Sequence, residues 1–294
     1  MQCTALRHSP AASPTLPAKA RGLVAVSVLF VLPVFAVFAG GSTNDVTLSY
    51  GAYQTDFDTG RVAVDIRGRS DTQVVTLREE GIPAGISVNA AEQGGILTVT
   101  ATADPQAPAS AKSASTSTQT APATGRIYVT MPRYEFVHIK TDTAPVTIDN
   151  LSTEHLTIHT HSGNIDVTNT NAALHAQSTT GNQDYNQIYG AIDATSTTGS
   201  VQAAGTWGVM NLKSTTGSLA GKDLAIAGNS SFSTTTGAIR LVLAYAYSRY
   251  TFDLRSTPTG KIQLGSVSGV GDLHWGYGAI HVVGATEGGV EDIQ

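Results

Sequence analysis

The stretch Ser196 to Leu219 reads STTGSVQAAGTWGVMNLKSTTGSL, and its phrase STTG returns after 18 residues. The phrase recurs along the chain. It sits around Gly163 (THSGNIDV), Gly181 (STTGNQDY), Gly199 (STTGSVQA), Gly217 (STTGSLAG), Gly237 (TTTGAIRL), Gly260 (TPTGKIQL) and Gly278 (WGYGAIHV), at spacings of 18, 18, 18, 20, 23 and 18. A nearly fixed period of this length marks a solenoid, in which each repeat buries its apolar face only against its neighbours. A helix pair needs a longer period, whereas two short strands and two turns fit. The hydrophobic pattern agrees. Leu156, Leu174, Ile192 and Met210 lie seven residues before a repeat glycine. Ile158, Ala176, Ala194, Leu212 and Phe232 lie five before, and Ile165, Val201, Leu219, Ile239, Ile262 and Ile280 two after, with Gln183 the exception. That is period-two alternation on both sides of a turn, the pattern of strands with one buried face.

The glycine is expected to take a positive φ, where it has no Cβ penalty, with neighbouring Ser and Thr bonding along the stack. Coils spaced like strands, about 4.8 Å apart, bring equivalent positions into ladders. Upstream, Val137, Ile139 and Thr141 correspond to Leu156, Ile158 and Thr160 one coil later, with Pro145 in the glycine's place. RVAVDIRG, TQVVTLRE, GISVNA and GILTVTAT are strand-like without the clean period, and suit opening coils or a capping sheet. The expected class is all-β, a parallel β-helix or β-solenoid with coils of about 18 residues, preceded by an N-terminal transmembrane or signal helix.

That helix is read from residues 22–39, GLVAVSVLFVLPVFAVFA, which carry no charge. Arg7, Lys19 and Arg21 precede it and no Lys or Arg follows until Arg61. The charge bias keeps residues 1–21 in the cytoplasm and puts the rest outside. Val37-Phe38-Ala39 before Gly40 also suits a signal-peptidase site. A retained anchor and a cleaved signal both remain open, and both place the body beyond the membrane. The expected organisation is a tail at 1–21, the membrane or signal segment at 22–40, an N-terminal strand region or cap at 42–104, and solenoid repeats at 125–290. Residues 105–124, PQAPASAKSASTSTQTAPAT, hold almost no large apolar residue and read as a flexible loop. Cys3 is the only cysteine, so no disulfide staples the body. The net charge of −5, without a basic stripe, gives no reason to expect nucleic acid.

A strand ending in proline (YVTMP, Pro132), a first coil, and repeated [ST]-[ST]-G-x-[ILV] turns together resemble the bacterial putative-adhesin family of β-strand repeats, a domain of unknown function. The resemblance covers roughly residues 60–290. It implies a right-handed single-chain β-helix behind an anchor or signal. Some relatives resemble proteins of envelope-stress signalling, and the family defines no catalytic residues.

Candidate chemistry lies on outward faces. Asp166 and Asp184 each follow a repeat glycine by three residues, so stacking sets them about 5 Å apart. Such a pair can serve a retaining glycosidase or hold a cation, and it is also what a solvated polar face looks like. His159 and His161 alternate on one strand, with Asp142 expected to stack near His161 and Lys140 near His159. Two histidines and one acid fall short of a tetrahedral zinc set. Tyr245 and Tyr247, expected on one strand face, could stack on sugar rings. Tyr250, Trp207, Trp275 and Tyr277 lie in the same late part of the chain, where several would close the end of the coil. No HExxH, CxxC pair, EF-hand loop, G-x-S-x-G elbow or phosphate loop occurs. The sequence therefore predicts a non-enzymatic cell-envelope protein with no cofactor, presenting a repeat surface to a glycan, an envelope protein or its own copies. A regulatory accessory of envelope stress and a polysaccharide-active enzyme are the alternatives.

Overall fold

Alternating apolar and polar residues can bury one face only as strands, and strands they form. The computed structural model describes residues 52–83, 85–103, 125–132, 136–257 and 261–294, and places strands at Val34–Ala39 and Asp45–Leu48. These strands belong to one compact unit, Pro33–Gln294. The described residues contain strands and one 3-10 turn, Tyr247–Arg249, and no α-helix.

Two parallel ladders run along the stack. In one, Ile165 pairs with Gln183, Gln183 with Val201, Val201 with Leu219 and Leu219 with Ile239. In the other, Leu156 pairs with Leu174, Leu174 with Ile192 and Ile192 with Met210. Inward residues of both ladders fill one core, in which Ile158, Ile165, Val167, Ile192, Val201 and Leu219 are all buried. Volumes are balanced between ladders. The second ladder buries the small Ala176 and Ala194, and the first buries the large Tyr185. Gln183 stands in an apolar column yet is satisfied. Its Nε2 donates to the Thr195 carbonyl at 2.8 Å, and its Oε1 accepts from the Tyr185 hydroxyl at 2.7 Å. Burial pushes the Tyr185 phenol well above its ordinary range.

The repeat glycine does its work differently from expectation. None of Gly163, Gly181, Gly199, Gly217 and Gly237 has a positive φ. Instead each packs on the backbone one rung earlier. A Cβ on Gly181, Gly199 or Gly217 would lie 1.9–2.0 Å from the preceding glycine's carbonyl oxygen. The first letter of STTG, not the Thr beside the glycine, closes the turn. Gly181, Gly199 and Gly217 donate their N–H to Ser178, Ser196 and Ser214 at 2.8–2.9 Å. The hydroxyls of Ser214 and Thr234 donate onward to the carbonyls of Gly199 and Gly217 at 3.1 and 3.0 Å. Each buried hydroxyl thus ties its own turn, and those of Ser214 and Thr234 also staple it to the rung before. Positive φ falls at another corner, on Asn150, Asn169, Gln187, Gly205 and Asp223.

Three assignments of the repeat shift. Val146 pairs with Ile165, so Ala144 rather than Pro145 occupies the glycine position, and the Ala144 carbonyl is what a Cβ on Gly163 would strike at 1.9 Å. Gly278 lies outside the glycine column and packs on Arg249 and Tyr250. The next member is Gly289, which stacks on Gly237 and donates to Thr286 at 3.0 Å. Gly260 lies outside the described residues.

The reason is that spatial order departs from chain order at both ends. Strand Gln54–Gly60 lies between Ile96–Ala103 and Phe136–Thr141. Strand Ile280–Thr286 lies between Ser230–Thr234 and Tyr250–Ser256. Antiparallel strands such as Ile86–Gln93 and Asp272–Trp275 then finish the stack. Solenoid ends need such finishing, because a parallel edge would template further pairing. The apolar segment takes part. Val34–Ala39, expected within a membrane helix, is a strand antiparallel to Ile86–Gln93, with Val34 opposite Glu92. Its β-branched and aromatic residues suit a pleated surface as well as a helix. Residues 22–33 and the expected loop 105–124 lie outside the described residues. No helix among the described residues is long and apolar enough to cross a membrane.

Each cap also buries an acid. Glu79 has no partner for Oε1, and Glu291, fully buried, has none for either carboxylate oxygen. Burial raises Glu79 to about 7 and Glu291 to about 8.

Gly199→Ala should destabilise by about 2 kcal/mol or more, because backbone must move to admit the methyl. Gln187→Gly, which relieves a left-handed residue, should be neutral or stabilising in the same thermal melt. For Glu291 the folded value is raised above the unfolded one, so its proton is held by the folded state. Stability is therefore full below about pH 4.5 and is lost as pH rises toward about 8. Glu291→Gln should flatten that slope in melts taken from pH 5 to 9, and should be the more stable protein at the alkaline end.

Candidate functional site

Outward positions of the second ladder form polar columns. Asp56, His138, Thr157, His175 and Asp193 are successive register partners in one. Asp58, Lys140, His159, Gln177 and Thr195 are successive partners in the next. Strand alternation sends all ten side chains to one face. At the adjoining corner the N–H groups of His161 and Ser162 both donate to the Asp142 carbonyl, at 3.1 and 2.8 Å. The structure therefore brings His159, His161 and Asp142 to one groove of about 760 Å³, together with Asp58, Lys140 and Gln177. A smaller hollow of about 460 Å³ continues past Asp56 and His138.

The groove's charges are tied to one another. Lys140 Nζ lies 3.0 Å from Asp58 Oδ2, and His138 Nδ1 lies 3.3 Å from Asp56 Oδ1. His175 Nδ1 meets Asp193 Oδ2 at 3.2 Å, and its Nε2 meets Gln177 Nε2 at 3.0 Å. The His159 ring stands edge-on to His175, with centroids 5.9 Å apart. Partial burial, and then the neighbouring His175, hold His159 below its ordinary range, which favours the neutral imidazole at neutral pH. Among the described residues no group of three His, Cys, Asp or Glu side chains could hold a metal ion.

Asp166 and Asp184 are register partners on the outer face of the other ladder. Both are exposed, Asp166 Oδ1 accepts from Thr168 at 3.3 Å, and neither lines the groove. Burial, and then Asp166, raise Asp184 above the usual carboxylate range. No described cation pairs with either acid. Tyr245 and Tyr247 do not share a strand face. Tyr245 precedes a 3-10 turn that Tyr247 opens, and Arg249 lies 4.2 Å over the Tyr245 ring. Tyr247 donates to the Ile293 carbonyl at 3.0 Å and packs edge-on against Phe252 and Trp275. Its ring thus packs at the C-terminal end of the stack.

Several surface residues escape sequence reasoning. Asp56 and Asp58 join the groove only because Gln54–Gly60 is inserted beside Phe136–Thr141, and no local signal announces that. Tyr189 was legible: it stands 18 residues before Trp207, is its register partner, and both are about half exposed.

Residues 68–207 match the family model Toastrack DUF4097. This stretch, a little under half of the chain, is similar to Toastrack domains. Its glycine column, hydroxyl staples and two ladders are the physical content of the resemblance seen in the repeats. No curated protein matches the chain. Among solved structures, a putative cell adhesion protein from Clostridium sporogenes ATCC 15579 is 8% identical, covering 86% of this chain and 99% of its own, with a TM-score of 0.30. A putative adhesin from Bacteroides fragilis NCTC 9343 is 11% identical, covering 86% and 98%, with a TM-score of 0.38. A putative lipid binding protein from Parabacteroides distasonis ATCC 8503 is 10% identical, covering 87% and 95%, with a TM-score of 0.33.

If Asp166 and Asp184 are surface acids alone, Asp184→Asn should stabilise by a few tenths of a kcal/mol at pH 7 by removing a like-charge pair. Denaturant titration at pH 7 and at pH 3 checks this, since the gain should vanish once Asp184 is protonated.

Proposed function

We propose that the protein is a non-enzymatic surface-presentation module of the bacterial envelope. Strands within residues 42–104 cap its solenoid together with Val34–Ala39, and residues 125–290 carry most of the binding face, joined by Asp58 of the inserted strand. The ligand is a glycan, held along the groove of His159, His161, Asp142 and Lys140. The observation that carries this reading is the groove itself: an open, rigid trough whose donors and acceptors alternate at strand spacing. Such a lining suits the hydroxyls of an extended polymer. Its charged groups are neutralised in pairs rather than aimed at one reacting atom, and Asp166 and Asp184 lie apart from it. Both features speak against turnover. An envelope-stress accessory that docks a protein on the same face is the second reading, favoured if proteins and not glycans bind.

The test is a glycan panel probed with the full-length chain and with a His159→Ala/His161→Ala variant. The wild type should bind a defined glycan subset, and the variant should lose about tenfold or more in affinity with an unchanged melting temperature. Absence of binding across the panel, with capture of a sensor or anti-sigma protein instead, would favour the regulatory reading.

A further inference from the structure

The same outer face carries a second groove toward the C-terminal end, of about 440 Å³. Its position follows from the inserted cap strand. Lys213 pairs with Ser233, Ser233 with Ala285, and Ala285 with Arg255, so the two cations stand three strands apart with small side chains between them. At about 4.8 Å per strand their backbones are roughly 14 Å apart. Thr235 and Glu287 line the same groove.

Arg67, Arg69, Arg78, Arg126 and Lys140 all have carboxylate partners, and Arg249 lies over Tyr245. Lys213 and Arg255 have no ion-pair partner among the described residues, although Asp272 is Arg255's register neighbour on the far side. Lys222, Arg240 and Lys261 also lack an ion-pair partner among the described residues, but only Lys213 and Arg255 stand on one groove. Both are exposed, and each bounds the groove at one end.

We propose that this groove binds a stretch of acidic polysaccharide, with Lys213 and Arg255 each holding a sugar carboxylate and the floor receiving the chain between them. This deepens the glycan reading above and rests on it. Three features select the ligand class. Arg255 offers a planar fork suited to a carboxylate, and Lys213 a point charge. The hydroxyl of Thr235 and the carboxylate of Glu287 would bond sugar hydroxyls, which a ligand that offers only phosphate lacks. The groove is concave and its floor is Ser233 and Ala285, without the apolar side chains by which a protein enters a bilayer surface. It also holds no aromatic residue on which a nucleobase could stack.

The experiment is calorimetric titration of the full-length chain with oligogalacturonate, with the carboxyl-reduced neutral oligomer, and with vesicles of anionic phospholipid. Oligogalacturonate should bind at low salt and weaken as salt rises. The neutral oligomer should bind about tenfold or more weaker, and Lys213→Ala/Arg255→Ala should lose a similar factor at an unchanged melting temperature. Arg255→Lys should recover part of the loss. Equal binding of charged and neutral oligomers, or an undiminished double variant, would overturn the acidic-ligand assignment while leaving the glycan reading intact. Binding to vesicles alone would overturn it in favour of a lipid headgroup. Failure of every oligosaccharide here and across the glycan panel would remove the broader reading as well.

Discussion

The structure depends on how closely two backbones can approach at one corner. At each STTG turn a glycine Cα rests on the carbonyl oxygen of the glycine one rung earlier, where any side chain would overlap it. That approach sets the rung spacing at the corner, and the buried Ser or Thr three residues earlier fixes the turn by accepting the glycine N–H. Everything outward follows from it. With rungs in register, equivalent residues line up, so the outer face is a set of columns rather than a mosaic. The grooves are places where those columns hold large polar residues beside small ones.

Stability is correspondingly distributed. The core has no disulfide and no metal cluster among its described residues, and relies on packed aliphatic columns, sheet ladders and repeated hydroxyl staples. Each hydrogen bond contributes on the order of 1 kcal/mol net, but its loss leaves a buried group unsatisfied, which costs more. The two acids in the caps work against this pattern. Glu79 and Glu291 occupy positions facing the interior, and their burial makes the ends of the stack sensitive to pH. Gln183 shows the contrasting solution, a buried polar side chain whose amide is partnered on both sides.

Much of this was legible in the sequence. The period, the two ladders, the buried positions from Leu156 to Ile239, and the neighbourhood of His159, His161 and Asp142 all follow from spacing and alternation. What was misread has particular causes. Positive φ was assigned to the glycines because a turn glycine usually needs it; here close packing demands glycine, and Asn169, Gln187 and Asp223 take the left-handed conformation instead. Gly278 mimicked a repeat glycine because the opposite corner also packs backbone on backbone. Gly289 was missed because TEGG lacks the STTG letters while keeping the hydroxyl three residues ahead. The cap insertions left no trace in local sequence, since pairing between residues 82 apart, such as Lys140 with Asp58, depends on the order in which strands are laid down. Residues 34–39 satisfied the composition of both a membrane helix and an edge strand, and pairing with Ile86–Gln93 decides between them.

The central claim is that rungs stack in strict register, with the last strand returning to the rung after Arg240. Pairwise spin-label distances test it most directly. In a Cys3→Ser chain, one label replaces Asp166 and the other replaces Ala220, Arg240 or Asp292, which lie three, four and five rungs away along one outward column. The distances should rise by about 5 Å per rung, to roughly 14, 19 and 24 Å. Distances that fail to increase in that order, or that place Asp292 no farther than Ala220, would contradict the stacked column and the account built on it.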